Sequence, residues 1–374
     1  MPDHVAEAER VTNLELFFDL VFVFTITQLT VVLTEHPDGG GLLRVVLMLA
    51  VIWWMYGGYA WLTNAVPARS LHRRLLLLGG MGGFFVVALA IPGAFDGNGV
   101  AFGLAYLAVT AIHAGLFTRA SEESAARAIL RIAPLNGVSA LLILAGGIAG
   151  GTAQYVLWAL ALVLQHVTPR LVGLRGFVIS PGHFVERHGL VVIVAIGESV
   201  IAVGIGVSGA GHDLDASLVG VALLGLALSA CLWWAYFGAD DGGAERALAA
   251  APVERRPALA LVAFFYWHLL LLLGIIAAAS SLHEATAHPG GTLHFRPALA
   301  LGGGVAVFLL GDVLFRRTLG LGSVRWRALA AALALLAVPL GTEVSATAEL
   351  FALVVVVAAC LAAERRGGQP NVNA

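Results

Sequence analysis

The chain has 374 residues, of which 59% are hydrophobic and only 12% are charged, and its mean hydropathy is +0.90. Soluble globular proteins carry roughly 25% charged residues, so this composition excludes a soluble protein and indicates an integral membrane protein in a lipid bilayer. The formal net charge of −2 gives no reason to expect a nucleic-acid partner.

Twelve apolar segments of spanning length follow one another along the chain. The N-terminus is acidic and polar and lacks the features of a cleaved signal peptide, so the first segment is expected to remain in the protein. Segments of about 20 apolar residues cross a bilayer as helices, which predicts an all-α polytopic membrane protein. The predicted spans are 14–34, 41–63, 74–92, 98–118, 131–149, 151–168, 186–207, 216–238, 257–280, 297–315, 325–342 and 345–363.

The basic residues are distributed unequally between the two sides of these spans. All 21 of them are arginines, and if the N-terminus is cytoplasmic only Arg44 and Arg296 fall on the outer side. Basic residues favour cytoplasmic loops. This distribution predicts that both termini lie in the cytoplasm.

Similar motifs recur in the two halves of the chain in the same order. The matching pairs are "IWWMYGG" (52–58) with "LWWAYFG" (232–238), Glu15 with Glu186, and "GLFTRA" (115–120) with "VLFRRT" (313–318). Two six-helix units in the same orientation would form a parallel repeat. The alternative is a coincidence among aromatic residues of the membrane interface.

The repeat hypothesis divides the chain into three parts. Residues 1–168 form the first six-helix repeat in this interpretation. Residues 169–364 hold an amphipathic connector followed by the second repeat, and residues 365–374 form a disordered tail.

The first span begins with "LELFFDLVFVFTIT" (14–27), which has a carboxylate inside an apolar helix. Thr12 and Glu15 have the capping-box spacing, which predicts a helix start near Thr12. Asp19 then lies about 10 Å along the axis and shares a face with Glu15. Because a charge in the middle of a lipid-facing helix costs roughly 2.5–3.5 kcal/mol, Asp19 is expected to face a partner or a water-filled cavity.

The seventh span contains the second carboxylate, Glu198, near its middle. The neighbouring glycines, including Gly197, would permit close packing or a local break of the helix. His183, Glu186 and Arg187 lie at the cytoplasmic entrance of this span, where an Arg–Glu pair is expected. Two carboxylates, one in the first helix of each predicted repeat, favour an ion or proton pathway over simple packing.

Other polar residues also occur at membrane depth. Each histidine is explained as well by an interhelical hydrogen bond, and Asp312 is spaced to pair with Arg316 near the inner interface. The residues that could extend a polar pathway are Gln28, His113, His166, His268 and Asp312.

The sequence carries no enzyme signature. Gly197-Glu198-Ser199 does not continue as a nucleophile elbow, and no zinc-protease motif surrounds His183, Glu186 or His188. The two cysteines lie in apolar runs, where cysteine behaves as a small hydrophobic residue. We therefore expect no enzymatic activity, no metal and no cofactor.

Two segments, "VTNLELFFDLVFVFTITQL" and "HFVERHGLVVIVAIGES", resemble the signature regions of the bacterial low temperature requirement protein A (LtrA) family. The resemblance covers nearly the whole chain and implies a multi-pass protein of the bacterial inner membrane. The family name implies a link to growth in the cold, not a mechanism. The residues that match its motifs are Glu15, Phe17, Phe18, Asp19, His183, Glu186, Arg187, Gly197 and Glu198.

A weaker similarity connects "FFDLVFVFTIT" with lysosomal potassium and proton channels, although Val191-Val192-Ile193 stands where the seventh span would carry the corresponding motif.

The predicted function is secondary transport of a small solute or ion, coupled to protons through Asp19 and Glu198. The alternatives are a cation or proton channel, a membrane-embedded enzyme, or a structural protein for low-temperature growth. The sequence specifies neither the solute nor the oligomeric state.

Overall fold

The structure is a computed structural model that describes residues 11–65, 70–118, 123–209, 215–238, 242–288 and 290–368. Within these ranges the chain folds into helices and contains no strand. The helices are α1 Asn13–Glu35, α2 Gly39–Ala65, α3 Leu71–Ala90, α4 Gly99–Phe117, α5 Glu123–Ala149, α6 Gly151–Val172, α7 Pro181–Gly209, α8 Ala216–Phe237, α9 Gly243–Ala250, α10 Arg256–Ala260, α11 Trp267–Ala287, α12 Phe295–Leu319, α13 Arg325–Leu336, α14 Val338–Glu343 and α15 Ala346–Gly368.

The prediction of twelve spans is confirmed. The described part of the chain has 12 helical stretches that are long and apolar enough to cross a membrane, and each overlaps a predicted span. Ten of them are single helices. The ninth joins α10 to α11 through a π-helical turn at Leu261–Tyr266, and the eleventh consists of α13 and α14.

Two of the spans differ in detail from the sequence prediction. The helix α7 begins at Pro181, five residues before the predicted start, so the polar residues at its entrance belong to its first two turns. The eleventh span is interrupted at Ala337, and α14 resumes at Val338. Pro339 explains the interruption, because proline offers no N–H to the preceding turn.

The chain divides into two compact units. Unit 1 comprises 1–29, 43–191 and 244–261, and unit 2 comprises 30–42, 192–243 and 262–374. Both α1 and α7 contribute residues to each unit. The parallel repeat remains a prediction. Residues 365–368 of the predicted tail are part of α15, and residues 369–374 lie outside the described ranges.

Unit 1 has an aromatic core centred on α2. Trp53, Tyr56 and Tyr59 are almost completely buried, and Phe18 of α1 lies with its ring centroid 5.1 Å from that of Tyr59. Aromatic pairs at this separation contribute about 0.5–1.5 kcal/mol beyond their burial. This core fixes the first turns of α1 against α2.

Unit 2 is built around a close crossing of α11 and α12. A Cβ atom added to Gly304 would lie 2.5 Å from the backbone nitrogen of Ala278, and one added to Gly274 would lie 2.5 Å from that of Phe308. Glycine at both positions allows the two backbones to approach, as is usual for packed membrane helices.

The tryptophan pairs of the predicted repeat have different environments in the two units. Trp53 and Trp54 are 2% and 8% exposed, whereas Trp233 and Trp234 are each 41% exposed. The recurring "WW" motif therefore does not have the same packing role in both halves of the chain.

Candidate functional site

The predicted capping box forms at the start of α1. The backbone N–H and the hydroxyl of Thr12 both donate to Oε2 of Glu15, at 2.8 and 2.9 Å, and the N–H of Glu15 lies 3.4 Å from the Thr12 hydroxyl oxygen. These bonds use one carboxylate oxygen of Glu15 and leave Oε1 directed elsewhere. The cap is therefore only part of what Glu15 does.

Arg187 of α7 joins the two carboxylates of α1 inside unit 1. Its Nη1 lies 2.9 Å from Oε1 of Glu15, and its Nη2 lies 3.2 Å from Oδ1 of Asp19. The side chains of Arg187 and Asp19 are 1% and 2% exposed. The Arg–Glu pair expected at the entrance of the seventh span forms with Glu15 of α1 instead of Glu186, and Asp19 has the partner that its burial requires.

Residues of α2 complete the contacts of these charged groups. The hydroxyl of Tyr56 donates to Oδ1 of Asp19 at 2.7 Å, and Nη1 of Arg187 donates to the hydroxyl of Thr63 at 2.8 Å. The guanidinium carbon of Arg187 also lies 5.3 Å from the ring centroid of Phe18. Cation–π contacts of this kind stabilise a desolvated arginine. We define the ion cluster as the four buried polar residues that α1 and α7 bring together here, namely Glu15, Asp19, His183 and Arg187.

The hydrogen bonds around His183 fix the orientation of its ring. The backbone N–H of Ser180 donates to Oδ1 of Asn64 at 3.1 Å, which orients the amide so that its Nδ2 group faces Nδ1 of His183 at 3.3 Å. Because Nδ2 can only donate, Nδ1 must accept, and the ring proton then resides on Nε2. That Nε2 lies 3.0 Å from Oε1 of Glu15. His183 thus joins Glu15 to the end of α2.

The two carboxylates of the ion cluster have unequal surroundings. Glu15 accepts hydrogen bonds on both oxygens, from Thr12, His183 and Arg187. Asp19 accepts two on Oδ1, whereas its buried Oδ2 has no hydrogen-bond partner among the described residues. The cluster contains two carboxylates for one guanidinium, and Oδ2 of Asp19 is the atom where a proton would reduce its negative charge.

The remaining residues of the family motifs occupy different environments. Phe18 is buried, while Phe17 is 51% exposed. Glu186 is exposed and accepts a hydrogen bond from the backbone N–H of Val11 at 3.3 Å. Gly197 has no atom within 4 Å of the position of an added Cβ, so the described residues make no close helix contact at this glycine.

Glu198 belongs to unit 2, and its side chain is buried, with 3% exposure. It lies near the middle of α7, which is continuous from Pro181 to Gly209. A local helix break beside it is therefore absent. The close approach expected from the neighbouring glycines occurs at Gly206, where an added Cβ would lie 2.0 Å from the hydroxyl oxygen of Thr286.

Two of the predicted polar residues are hydrogen-bonded to a neighbouring helix. Nε2 of His113 donates to the carbonyl oxygen of Gly58 at 2.9 Å in unit 1. In unit 2, Nδ1 of His268 donates to the carbonyl of Ala263 at 3.0 Å, so its Nε2 accepts from the hydroxyl of Tyr236 at 2.8 Å. Both histidines are thereby given structural roles that account for their burial.

The other two polar residues of the predicted pathway in unit 1 are half-buried. Nδ1 of His166 donates to the carbonyl of Leu162 at 2.9 Å, one turn earlier in α6. Gln28 lies in the second half of α1. Neither residue is a member of the ion cluster.

Asp312 forms its ion pair with an arginine of another helix, and Arg316, which the sequence spacing indicates, is a nearby charge. Its Oδ2 pairs with Nη1 of Arg327 on α13, and Nε of Arg327 lies 2.8 Å from Glu364 of α15. Arg316 donates from Nη2 to the carbonyl of Leu321 at 2.8 Å. The i, i+4 rule describes neighbours on one helix, whereas here a second helix supplies the closest cation.

Sequence reasoning did not identify Tyr56, Thr63 and Asn64 as site residues. Tyr56 lies within "IWWMYGG", whose evident feature is its recurrence in the second half of the chain. Thr63 and Asn64 are adjacent polar residues at the end of an apolar span, which is a signal for a polar contact at that end. Their partners are more than 100 positions away in sequence.

Comparison with known proteins identifies a family and a relative. The family model for the bacterial low temperature requirement A protein (LtrA) matches residues 10–363. A protein of Rhizobium meliloti (strain 1021) described as "Uncharacterized protein RA0937" is 31% identical over 319 residues, covering 81% of this chain and 76% of the relative. No solved structure gives a significant match. The family match includes both helices that form the ion cluster.

Proposed function

This chain belongs to the bacterial low temperature requirement A (LtrA) family, and on that premise we propose that it is a proton-coupled secondary transporter of a small solute or ion. Asp19 and Glu198 are the proton-carrying residues in this proposal. The observation that supports it best is the buried ion cluster of unit 1, in which two carboxylates share one guanidinium.

A proton-coupled carrier needs a carboxylate that changes its protonation between two states of the transport cycle. Glu15 accepts hydrogen bonds on both oxygens, whereas Oδ2 of Asp19 has no hydrogen-bond partner among the described residues, so Asp19 is the member of the cluster that can exchange a proton with little structural change. With a proton on Oδ2, Asp19 attracts Arg187 less strongly. Without it, the attraction between α1 and α7 increases, because the charge pair is buried and poorly screened.

Glu198 is the second proton-carrying residue of the proposal because it is buried in an apolar part of α7. The same continuous helix supplies Arg187 to the ion cluster, three turns earlier in the chain. Ionisable residues inside membrane helices commonly mark ion or proton pathways.

The proposal predicts that Asp19→Asn reduces proton-coupled uptake strongly, because asparagine keeps the shape of the side chain but cannot exchange a proton. Purified protein would be reconstituted into vesicles that contain a pH-sensitive dye. Proton entry would then be followed on addition of amino acids, sugars or inorganic cations, with the same assay of Glu186→Gln as the control. Glu186 is an exposed carboxylate one position from Arg187, and its removal should leave the flux unchanged.

Two results would argue against this function. Full solute-dependent proton entry in Asp19→Asn would remove Asp19 from the coupling mechanism. Proton or cation entry in the wild-type protein without any added solute, and without saturation, would favour the channel alternative.

The proposed location is the bacterial inner membrane, with both termini in the cytoplasm, since the arginines cluster on the side of the N-terminus. This orientation predicts that a cysteine at Ser208 reacts with an impermeant thiol reagent added to intact cells, whereas one at Ser323 does not. Both serines are exposed. The background would be a variant without Cys231 and Cys360, and the opposite labelling pattern would reverse the orientation.

A further inference from the structure

The interrupted eleventh span of unit 2 packs against another buried carboxylate, that of Glu349. This residue lies in the first turn of α15 and is 0% exposed. Among the described residues no side chain donates a hydrogen bond to its carboxylate oxygens, which approach only backbone such as that of Gly302. An ionised carboxylate without a partner in an apolar interior is very unfavourable.

Two glycines provide the space that the carboxyl group of Glu349 occupies. A Cβ atom added to Gly341 would lie 1.9 Å from Oε2, and one added to Gly302 would lie 3.0 Å from Oε1. The carboxyl group therefore lies directly against the backbones of α12 and α14. Both carboxylate oxygens are buried at this contact.

The charged side chains on the surrounding helices do not compensate this carboxyl group. Glu349 takes part in no ion pair in the described part of the chain, and Arg296 of α12 is 65% exposed. Arg327 of α13 binds Asp312 and Glu364. The other titratable residues at this end of the neighbouring elements are Asp215 before α8, His283 and Glu284 of α11, His288 after α11, His294 before α12, and Glu343 of α14.

We propose that Glu349 is an exchangeable proton-binding site of unit 2, distinct from Asp19 and Glu198. Its carboxyl group carries a proton in this conformation, where it fills the space between Gly302 and Gly341. The carbonyl oxygen of Ala334, at the break between α13 and α14, lies 2.8 Å from the same Cβ position at Gly302. Loss of the proton would place a negative charge beside this break and loosen it.

The test compares the full-length wild-type protein with Glu349→Gln in detergent micelles over a range of pH. The matched control is Glu343→Gln, because Glu343 is an exposed carboxylate six positions earlier in the chain. Thermal midpoints and hydrogen–deuterium exchange of the segment 334–345 would be measured at each pH. A carboxyl group that keeps its proton in the folded state makes the fold less stable as the pH rises, because the unfolded state releases the same proton more readily.

In the wild type, the thermal midpoint should fall and the segment 334–345 should lose protection from exchange as the pH is raised. The expected result is that Glu349→Gln removes part of both changes. Glu343→Gln should behave as the wild type does. The proposal would be overturned if Glu349→Gln had the same thermal midpoint and the same segment exchange as the wild type at every pH.

A second neutral replacement of similar length, Glu349→Met, guards against a defect specific to glutamine. Failure of both variants to fold at acidic pH would also overturn the proposal, because the proposal places a neutral side chain at position 349 under these conditions.

Discussion

Replacing Arg187 by methionine is expected to destabilise the protein by about 3–5 kcal/mol, because removal of one partner leaves buried charge uncompensated. Arg187 is 1% exposed and is the cation of the cluster that contains Glu15 and Asp19. Methionine retains a long apolar side chain, so the loss of packing is small. The main effect is electrostatic.

The matched control for this variant is Arg44→Met. Arg44 also forms an ion pair in unit 1, with 2.7 Å between its Nη1 and Oδ2 of Asp96, but the two side chains are 24% and 57% exposed. Solvent-exposed pairs contribute only about 0–1 kcal/mol. The free energy of unfolding would be measured by denaturant titration in mixed micelles, and equal losses in Arg187→Met and Arg44→Met would contradict the account.

Neutralising the carboxylates should rescue the Arg187 variant. In Arg187→Met combined with Glu15→Gln and Asp19→Asn, no charge remains in the cluster, so most of the lost stability is expected to return. Lower pH should restore part of it in the single variant, because protons then neutralise the same carboxylates. A loss of stability that is equal at all pH values would indicate a packing defect instead.

The number and type of the membrane spans followed from sequence because long apolar segments have few alternatives in a bilayer. The start of α1 followed as well, since the capping box of Thr12 and Glu15 is a local signal. The start of α7 did not. Its polar residues, His183 and Arg187, have the composition of a loop end, and only their buried contacts explain why the helix includes them.

The membership of the ion cluster could be predicted only in part. Sequence indicated that Asp19 needs a partner and that Arg187 pairs with a glutamate, but it placed that glutamate at the entrance of the same span, at Glu186. It could not indicate that one arginine binds both Glu15 and Asp19, because that contact depends on how α1, α2 and α7 pack. The same limit applies to Asp312, which pairs with an arginine of another helix.

Glu349 illustrates a different limit of sequence reasoning. A glutamate in the first turn of a helix usually interacts favourably with the helix N-terminus at the surface. Its burial results from Gly302 and Gly341, which are distant from each other in sequence and have no local signature among the many glycines of the chain. Only the packed structure distinguishes Glu349 from the exposed Glu343.

The second large effect is expected for Glu198→Gln, which should fold normally but lose proton-driven uptake. Glu198 is 3% exposed near the middle of α7. Glutamine retains the shape of the side chain but fixes the neutral state. Stability should therefore change little, while proton exchange is abolished.

The most direct test of proton coupling is solute-dependent proton entry into vesicles that contain Glu198→Gln, with Ser199→Ala as the matched control. Ser199 is the next residue of α7 and is 1% exposed, but it carries no charge. The account predicts that the flux is lost in Glu198→Gln and retained in Ser199→Ala. Full flux with normal pH dependence in purified Glu198→Gln protein would contradict it and would leave Glu198 a structural residue.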